Sequence, residues 1–189
     1  LYDGNESFVF WGRNCVDKLV YFLENSETDY LIYAHNGGKF DFFFLLMEGH
    51  LENPIKIING RLTKSTMGGH EFRDSYAIIP VPLSAYKKDE IDYNWFEEGI
   101  YQKHKPEILG YLHDDCVYLY ELVDAFVKRF GTKLTIGSTA IEKLSELHPF
   151  DKTHESHDVV FRPYYFGGRV ECFKSGVLIG KWKVVDVNS

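Results

Sequence analysis

One carboxylate stands inside an aromatic run, and it constrains the chain more than any other residue. In Phe40-Asp41-Phe42-Phe43-Phe44-Leu45-Leu46 the acid has large apolar neighbours on both sides. Taking an ion out of water costs several kcal/mol unless something compensates it. The preceding residues give its setting. Residues 29–35, Asp-Tyr-Leu-Ile-Tyr-Ala-His, form an apolar run of strand character. Gly37-Gly38 breaks it, and the run from Lys39 to Gly49 is predicted as a helix ended by glycine. Strand, turn and helix make an α/β unit. Asp41 then sits in the first turn of a helix, where the helix dipole favours an acid. A bound cation would compensate it equally well.

The remaining pattern extends that unit. Residues 15–24 carry a helical apolar stripe, and Ser7 to Gly12 is predicted as a short strand. Asn59-Gly60 and Gly68-Gly69 are hairpin signals between β-rich runs, which predicts three antiparallel strands. Residues 84–104 lack a period and read as loop with one short helix. Lys105-Pro106-Glu107 opens a strong helix that stops at Gly131. Thr139-x-x-Glu142 resembles a capping box, opening a helix over 140–147. Residues 150–158 read as a polar connector, and 164–189 as strands around a Gly-Gly turn.

Composition narrows the class. At 189 residues the chain is long enough to bury a sizeable core. No apolar run reaches about 18 residues, so no membrane span is expected. Cys15, Cys116 and Cys172 are scattered and odd in number, as in a reduced intracellular protein. The net charge of −7 is unusual for a nucleic-acid binder. Its distribution is uneven, however: Arg162, Arg169, Lys174, Lys181 and Lys183 face only Glu171 over 162–183.

A second acid stands out on the long helix. Tyr111 and Asp115 are four residues apart and share a face, whereas Asp114 points about 100° away. A tyrosine–aspartate hydrogen bond in a core explains that pair taken alone. Asp41 and Asp115 together suggest more, because two acids at one α/β layer can converge on a hard divalent cation. Two such ions stabilise both the attacking and the leaving oxygen in phosphoryl transfer. His154-x-x-His157 lies in the polar connector and reads as solvated loop.

At this point short motifs align with one family. "HNGGKFD" (35–41) and "YLHDD" (111–115) resemble the second and third exonuclease motifs of family-B DNA polymerases. Between them, "KDEIDY" (88–93) resembles a lysine-then-tyrosine element of the protein-primed group, and "RDSY" (73–76) that group's Ser-Leu element, with Tyr76 in place of leucine. "LTIGSTAIEKL" (134–144) is similar to the segment after the third motif. "YFGG" (165–168) resembles the Tyr-x-Gly-Gly element, and "DVNS" (186–189) the start of the first polymerase motif. Standing in the family's order over residues 35–189, they identify the chain as resembling part of a protein-primed family-B DNA polymerase, as in phages, adenoviruses and linear plasmids.

The resemblance implies an α/β fold: a ribonuclease-H-like 3′–5′ exonuclease domain over 1–155 with a β-hairpin insert, then a linker and the first strands of a polymerase palm over 156–189. It implies Asp41 and Asp115 as exonuclease metal ligands, with Tyr111 orienting the attacking water and Lys88 placing a cation near the scissile phosphate. Asn36, Phe40 and Phe44 would hold a single-stranded primer end, and Ser75 would contact DNA or a terminal protein. Tyr165, Gly167, Gly168 and Arg169 would grip template, and Asp186 would bind the polymerase metals. The implied cofactor is Mg²⁺ or Mn²⁺, in a two-metal site completed by residues outside this chain, including an Asp-x-Glu expected upstream of Leu1. DNA, deoxynucleotides and a terminal-protein primer are the implied partners. The implied source is a virus, a mitochondrial linear plasmid or another mobile element. The segment by itself is expected to be inactive or nearly so. A stand-alone 3′–5′ exonuclease and a decayed, non-catalytic nucleic-acid-binding domain stay open as alternatives.

Overall fold

Asn59-Gly60 turns the chain as a type I′ hairpin requires, with φ of 52° and 69° at the two residues. It joins β2 (Glu52–Ile58) to β3 (Arg61–Met67), and a second turn at Gly68-Gly69 leads into β4 (His70–Asp74). The three strands are antiparallel, as the turn signals predict. The computed structural model describes residues 1–87, 89–150 and 155–164. The chain divides into two compact units, Leu1–Pro149 and Phe150–Ser189.

In the first unit β1 (Leu31–Ala34) joins β4 in parallel, giving the sheet order β1-β4-β3-β2. The register pairs Ala34 with Asp74. The chain therefore leaves β1 and β4 side by side, at the carboxyl ends of two parallel strands. That is where α/β sheets commonly place their sites. α1 (Cys15–Glu24) and α2 (Asp41–Met47) bury Val20, Leu23, Phe42 and Leu45 against Leu62, Met67 and Phe72 of the sheet. The other side of β3 and β4 carries charge. Glu71 bonds both Lys64 and Arg73, and Arg73 also donates to the Thr132 carbonyl. His70 is buried and satisfied: its Nδ1 accepts from the Tyr30 amide at 3.1 Å, and its Nε2 lies 2.9 Å from the Leu23 carbonyl.

α3 (Lys105–Phe130) has proline in its first turn, and Gly131 ends it at φ 82°. α4 (Ile136–Leu147) follows. Residues 84–104 hold short 3₁₀ turns at Leu83–Ala85 and Tyr93–Phe96. Among the described residues no helix is long and apolar enough to cross a membrane.

Three expectations are corrected. Ser7 to Gly12 is no strand; only the Tyr2–Ser7 bridge forms there. Phe8 and Phe10 are held instead by ring packing on Phe22, at 4.7 and 5.5 Å. α4 is capped by Thr135, whose hydroxyl accepts from the Ser138 amide at 3.1 Å, and not by Thr139. Thr139 lies inside the helix and donates to the Thr135 carbonyl. Several hydroxyl residues in a row made the wrong frame look adequate. In the second unit, part of the supposed connector is helical: α5 spans Glu155–Phe161, ahead of a 3₁₀ turn at Arg162–Tyr164. The strands expected over 164–189 lie outside the described residues beyond Tyr164.

Gly38 and Gly110 are opposite tests of this packing. A Cβ on Gly38 would overlap the Leu62 carbonyl, whereas one on Gly110, mid-helix in α3, would meet nothing within 4 Å. Gly38→Ala is expected to destabilise by about 1–3 kcal/mol, and Gly110→Ala to stabilise by about 0.5–1 kcal/mol. The unfolding midpoints of the two variants should shift in opposite directions.

Candidate functional site

Residues 35–38 begin where β1 ends, and they fold over a buried ion pair. Asp74, the last residue of β4, has a side chain with no solvent exposure. Its Oδ2 accepts from Arg61 at 2.6 Å and from the Gly38 amide at 3.1 Å, and its Oδ1 accepts from the Tyr76 amide at 3.0 Å. Charged and backbone donors therefore satisfy both oxygens, as a buried carboxylate requires. Arg61 also donates to the Asn36 side-chain oxygen, and its guanidinium lies 4.6 Å from the Tyr76 ring centre. Asn36 adopts the left-handed conformation at φ 63°, which asparagine tolerates. Gly37 and Gly38 are buried behind it.

This arrangement sets where Asp41 emerges. Asp41 is the first residue of α2 and reaches solvent. Protein packed around it still holds its carboxyl above the ordinary range, and the Asp74 carboxylate pushes the same way. Phe42 and Leu45 point into the core, while Phe40 and Phe44 stay 62% and 61% exposed. The phenylalanines around Asp41 thus divide between core and solvent.

α3 presents the second acid. Tyr111 hydrogen-bonds Asp115 one turn along the helix, and also Tyr93 of the preceding segment. Burial pushes the Tyr111 hydroxyl up to about 12, helped by the Asp115 carboxylate and by Tyr93. It keeps its proton throughout the neutral range, so it can donate a hydrogen bond but cannot serve as a base. The Cys116 thiol reports on both acids. Burial pushes it up, the Leu1 ammonium opposes, and Asp115 and Asp41 each raise it further. Both carboxylates therefore lie within electrostatic reach of one thiol.

The segment between β4 and α3 is tied along that helix. Lys87 binds Glu121 at 3.1 Å and lies about equally far from the Tyr86 and Tyr118 rings, at 5.1 and 5.0 Å. Asp89 accepts from the Tyr118 hydroxyl at 2.8 Å. Lys88 itself lies outside the described residues, as do Tyr165, Gly167, Gly168, Arg169 and Asp186. Ser75 is fully buried, its Oγ 3.0 Å from His35 Nδ1 and 3.3 Å from the Ala34 carbonyl. With no exposed surface, it holds the turn after β1 and offers nothing to DNA directly. Among the described residues no group of three or more histidine, cysteine or acidic side chains is gathered to hold an ion. Asp41 and Asp115 are nonetheless hard oxygen donors, of the kind magnesium and manganese take. They fit such an ion, though as an incomplete shell.

Asp74 and Arg61 were not singled out from the sequence, whereas Tyr93 is the tyrosine of the lysine-then-tyrosine element. A signal existed for Asp74: strand alternation puts residues 70, 72 and 74 on one face, and 72 is a phenylalanine.

Comparison with known proteins gives a consistent result. The family model for DNA polymerase type B, organellar and viral, matches residues 82–189. The DNA-directed DNA polymerase of Enterobacteria phage PRD1 is 46% identical over all 189 residues, which cover 34% of that protein. Two structures of Phi29 DNA polymerase are similar in fold. The ternary complex with primer-template DNA and incoming nucleotides has a TM-score of 0.64 at 19% identity, and the complex with single-stranded DNA has 0.61 at 18%. Each likeness covers 82% of this chain and 33% of the other. The chain thus spans about a third of the length of these relatives. The α/β layer is shared with the two Phi29 structures, in keeping with a ribonuclease-H-like fold.

Two measurements test the electrostatics. Asp74→Ala leaves Arg61 buried and unpaired, and is expected to cost about 3–5 kcal/mol of stability in denaturant titration. Asp41 gives a pH signature. Below its ordinary value of 3.8 the carboxyl is protonated both folded and unfolded, so it contributes nothing there. As pH rises past 3.8 towards the higher folded value, the unfolded chain ionises first, and stability is lost until both states are ionised. Asp41→Asn should therefore raise the metal-free unfolding midpoint at neutral pH and leave it unchanged in acid.

Proposed function

This chain belongs to the DNA polymerase type B, organellar and viral, family, and from that premise we propose that its first unit is the 3′–5′ proofreading exonuclease of a protein-primed DNA polymerase. The observation that supports the proposal is the placement of Asp41 at the head of α2, just past the carboxyl ends of the parallel strands β1 and β4, with Tyr111 and Asp115 paired one turn apart on a single face of α3. The substrate is the single-stranded 3′ end of a DNA primer, and the reaction is hydrolysis of its terminal phosphodiester. The parent enzyme extends the same primer from deoxynucleotides, starts on a terminal protein, and is encoded by a virus or mobile element. Residues 156–189, with Tyr165, Gly167, Gly168 and Arg169 on the template and Asp186 at the polymerase metals, form the passage to the polymerase domain.

Asp41 and Asp115 would hold Mg²⁺ or Mn²⁺, which would stabilise the attacking and leaving oxygens. The chain's own residues do the rest. Asp41 enters from a helix N-terminus whose position Asp74 and Arg61 fix. The Tyr111 hydroxyl, its proton donated to Asp115, orients the attacking water by accepting a hydrogen bond from it. Phe40 and Phe44 stack on bases, each stack being worth about 1–3 kcal/mol. Asn36, with its side-chain oxygen taken by Arg61, has its amide N–H groups left for sugar or base edges. Lys88 supplies positive charge where the phosphate becomes more negative. Ser75 acts through the turn that carries Asn36.

In the full-length polymerase, Asp115→Ala should lower exonuclease activity on single-stranded DNA by about 10²–10⁴-fold while primer extension continues. Tyr111→Phe, which loses one hydrogen bond, should cost about tenfold. An Asp115→Ala enzyme that still degrades single strands at the parental rate would sink the assignment.

A further inference from the structure

α2 is amphipathic in an unusual sense, because its solvent side is as apolar as its core side. At 100° per residue, positions 43, 44 and 47 fall within about a third of a turn, and Phe40 stands at the N-cap of the same helix. All four are large, apolar and exposed: Phe40 62%, Phe43 40%, Phe44 61% and Met47 83%. Phe42 and Leu45, at 2% and 4%, occupy the opposite side. A contiguous apolar stripe left in water marks a binding surface.

The stripe has a direction. It starts at Phe40, next to Asp41, and ends at Met47, about 10 Å further along the axis at about 1.5 Å per residue. A stacked strand advances about 3.4 Å per nucleotide, so that length matches about three nucleotides. The flanking charges suit a polyanion at the Asp41 end. Lys39 is exposed and has no ion pair among the described residues. Glu48, the carboxylate beside Met47, is turned to His50 at 3.4 Å.

We propose that Met47 extends the primer platform by one step. In this arrangement Met47 seats a base upstream of those on Phe40 and Phe44, so that the exonuclease grips about three nucleotides on α2 before the strand leaves the helix. Met47 is a specificity and binding residue and takes no part in bond cleavage. The thioether is polarizable and packs well on an aromatic ring. The inference rests on the exonuclease reading above, and occupancy by single-stranded DNA follows from the stripe's continuity with that platform.

The experiment uses the full-length polymerase and oligothymidylates of roughly two to eight nucleotides, with KM and kcat for exonuclease hydrolysis measured at each length. Met47→Ala should raise KM by about three- to tenfold for the longer substrates, leave the dinucleotide unchanged, and leave kcat unchanged at every length. Met47→Phe should restore the parental KM or improve on it. Met47 is so exposed that neither variant threatens folding. A KM unaffected by Met47→Ala at all lengths, while Phe44→Ala raises it, would overturn the inference and leave the exonuclease reading intact. A lower unfolding midpoint with unchanged KM would also overturn it, by assigning the stripe to a protein contact. Failure of the exonuclease reading itself would show separately, as undiminished hydrolysis by Asp115→Ala.

Discussion

The Asp74 carboxylate is the point on which the site depends. It is buried at the end of β4, and burial alone would make it unfavourable. Three donors offset this, and each belongs to a different part of the chain: Arg61 at the start of β3, Gly38 in the turn after β1, and Tyr76 just beyond β4. One side chain thereby fixes the spacing of three segments. Arg61 passes the constraint to Asn36, and the Gly38 amide passes it to the first turn of α2. A substitution that freed Asp74 would shift the turn that positions the first residue of α2, without touching Asp41 itself.

α3 supplies the opposing surface in the same economical way. Tyr111, Asp115 and Tyr118 follow one another at four and three residues, so a single helical face carries all three. Tyr111 takes Tyr93, and Tyr118 takes Asp89, so residues 89–93 lie along the face that carries the second acid. Lys87 adds a third tie through Glu121. These are exposed contacts, each weak alone. Their value is geometric, since they attach an irregular segment to a rigid helix at intervals of a few residues.

Local chemistry was legible in the sequence, and distant pairing was not. Asn59-Gly60 demands positive φ at two successive residues, so the hairpin could be placed from two letters. α1 followed from its apolar stripe, and α3 from Pro106 and Gly131. The parallel pairing of β1 with β4 has no such signal, because it joins residues forty positions apart. That pairing nevertheless places the site, by setting Ala34 beside Asp74. Ser7 to Gly12 shows the converse error: aromatic residues suggested a strand, but backbone pairing stops at the Leu1–Phe8 hydrogen bonds and the Tyr2–Ser7 bridge, and the Phe8 and Phe10 rings pack on Phe22. Ser75 shows a third kind. Its place in a motif suggested a surface role, whereas its position, with Oγ 3.0 Å from His35 Nδ1, is set by burial.

The aromatic run around Asp41 is best understood as two requirements on one short helix. Phe42 and Leu45 must fill the core, or α2 would not pack on the sheet. Phe40 and Phe44 have no such duty, and a soluble protein would ordinarily carry polar residues there. Exposed phenylalanine at both positions suits the base platform proposed above. Asp41 stands between the two sets, its carboxyl held above the ordinary range by burial and by Asp74. A carboxylate kept in that condition favours whatever brings positive charge to it. The proton does so in acid; at neutral pH a divalent cation would answer the same need, at the end of the proposed base platform.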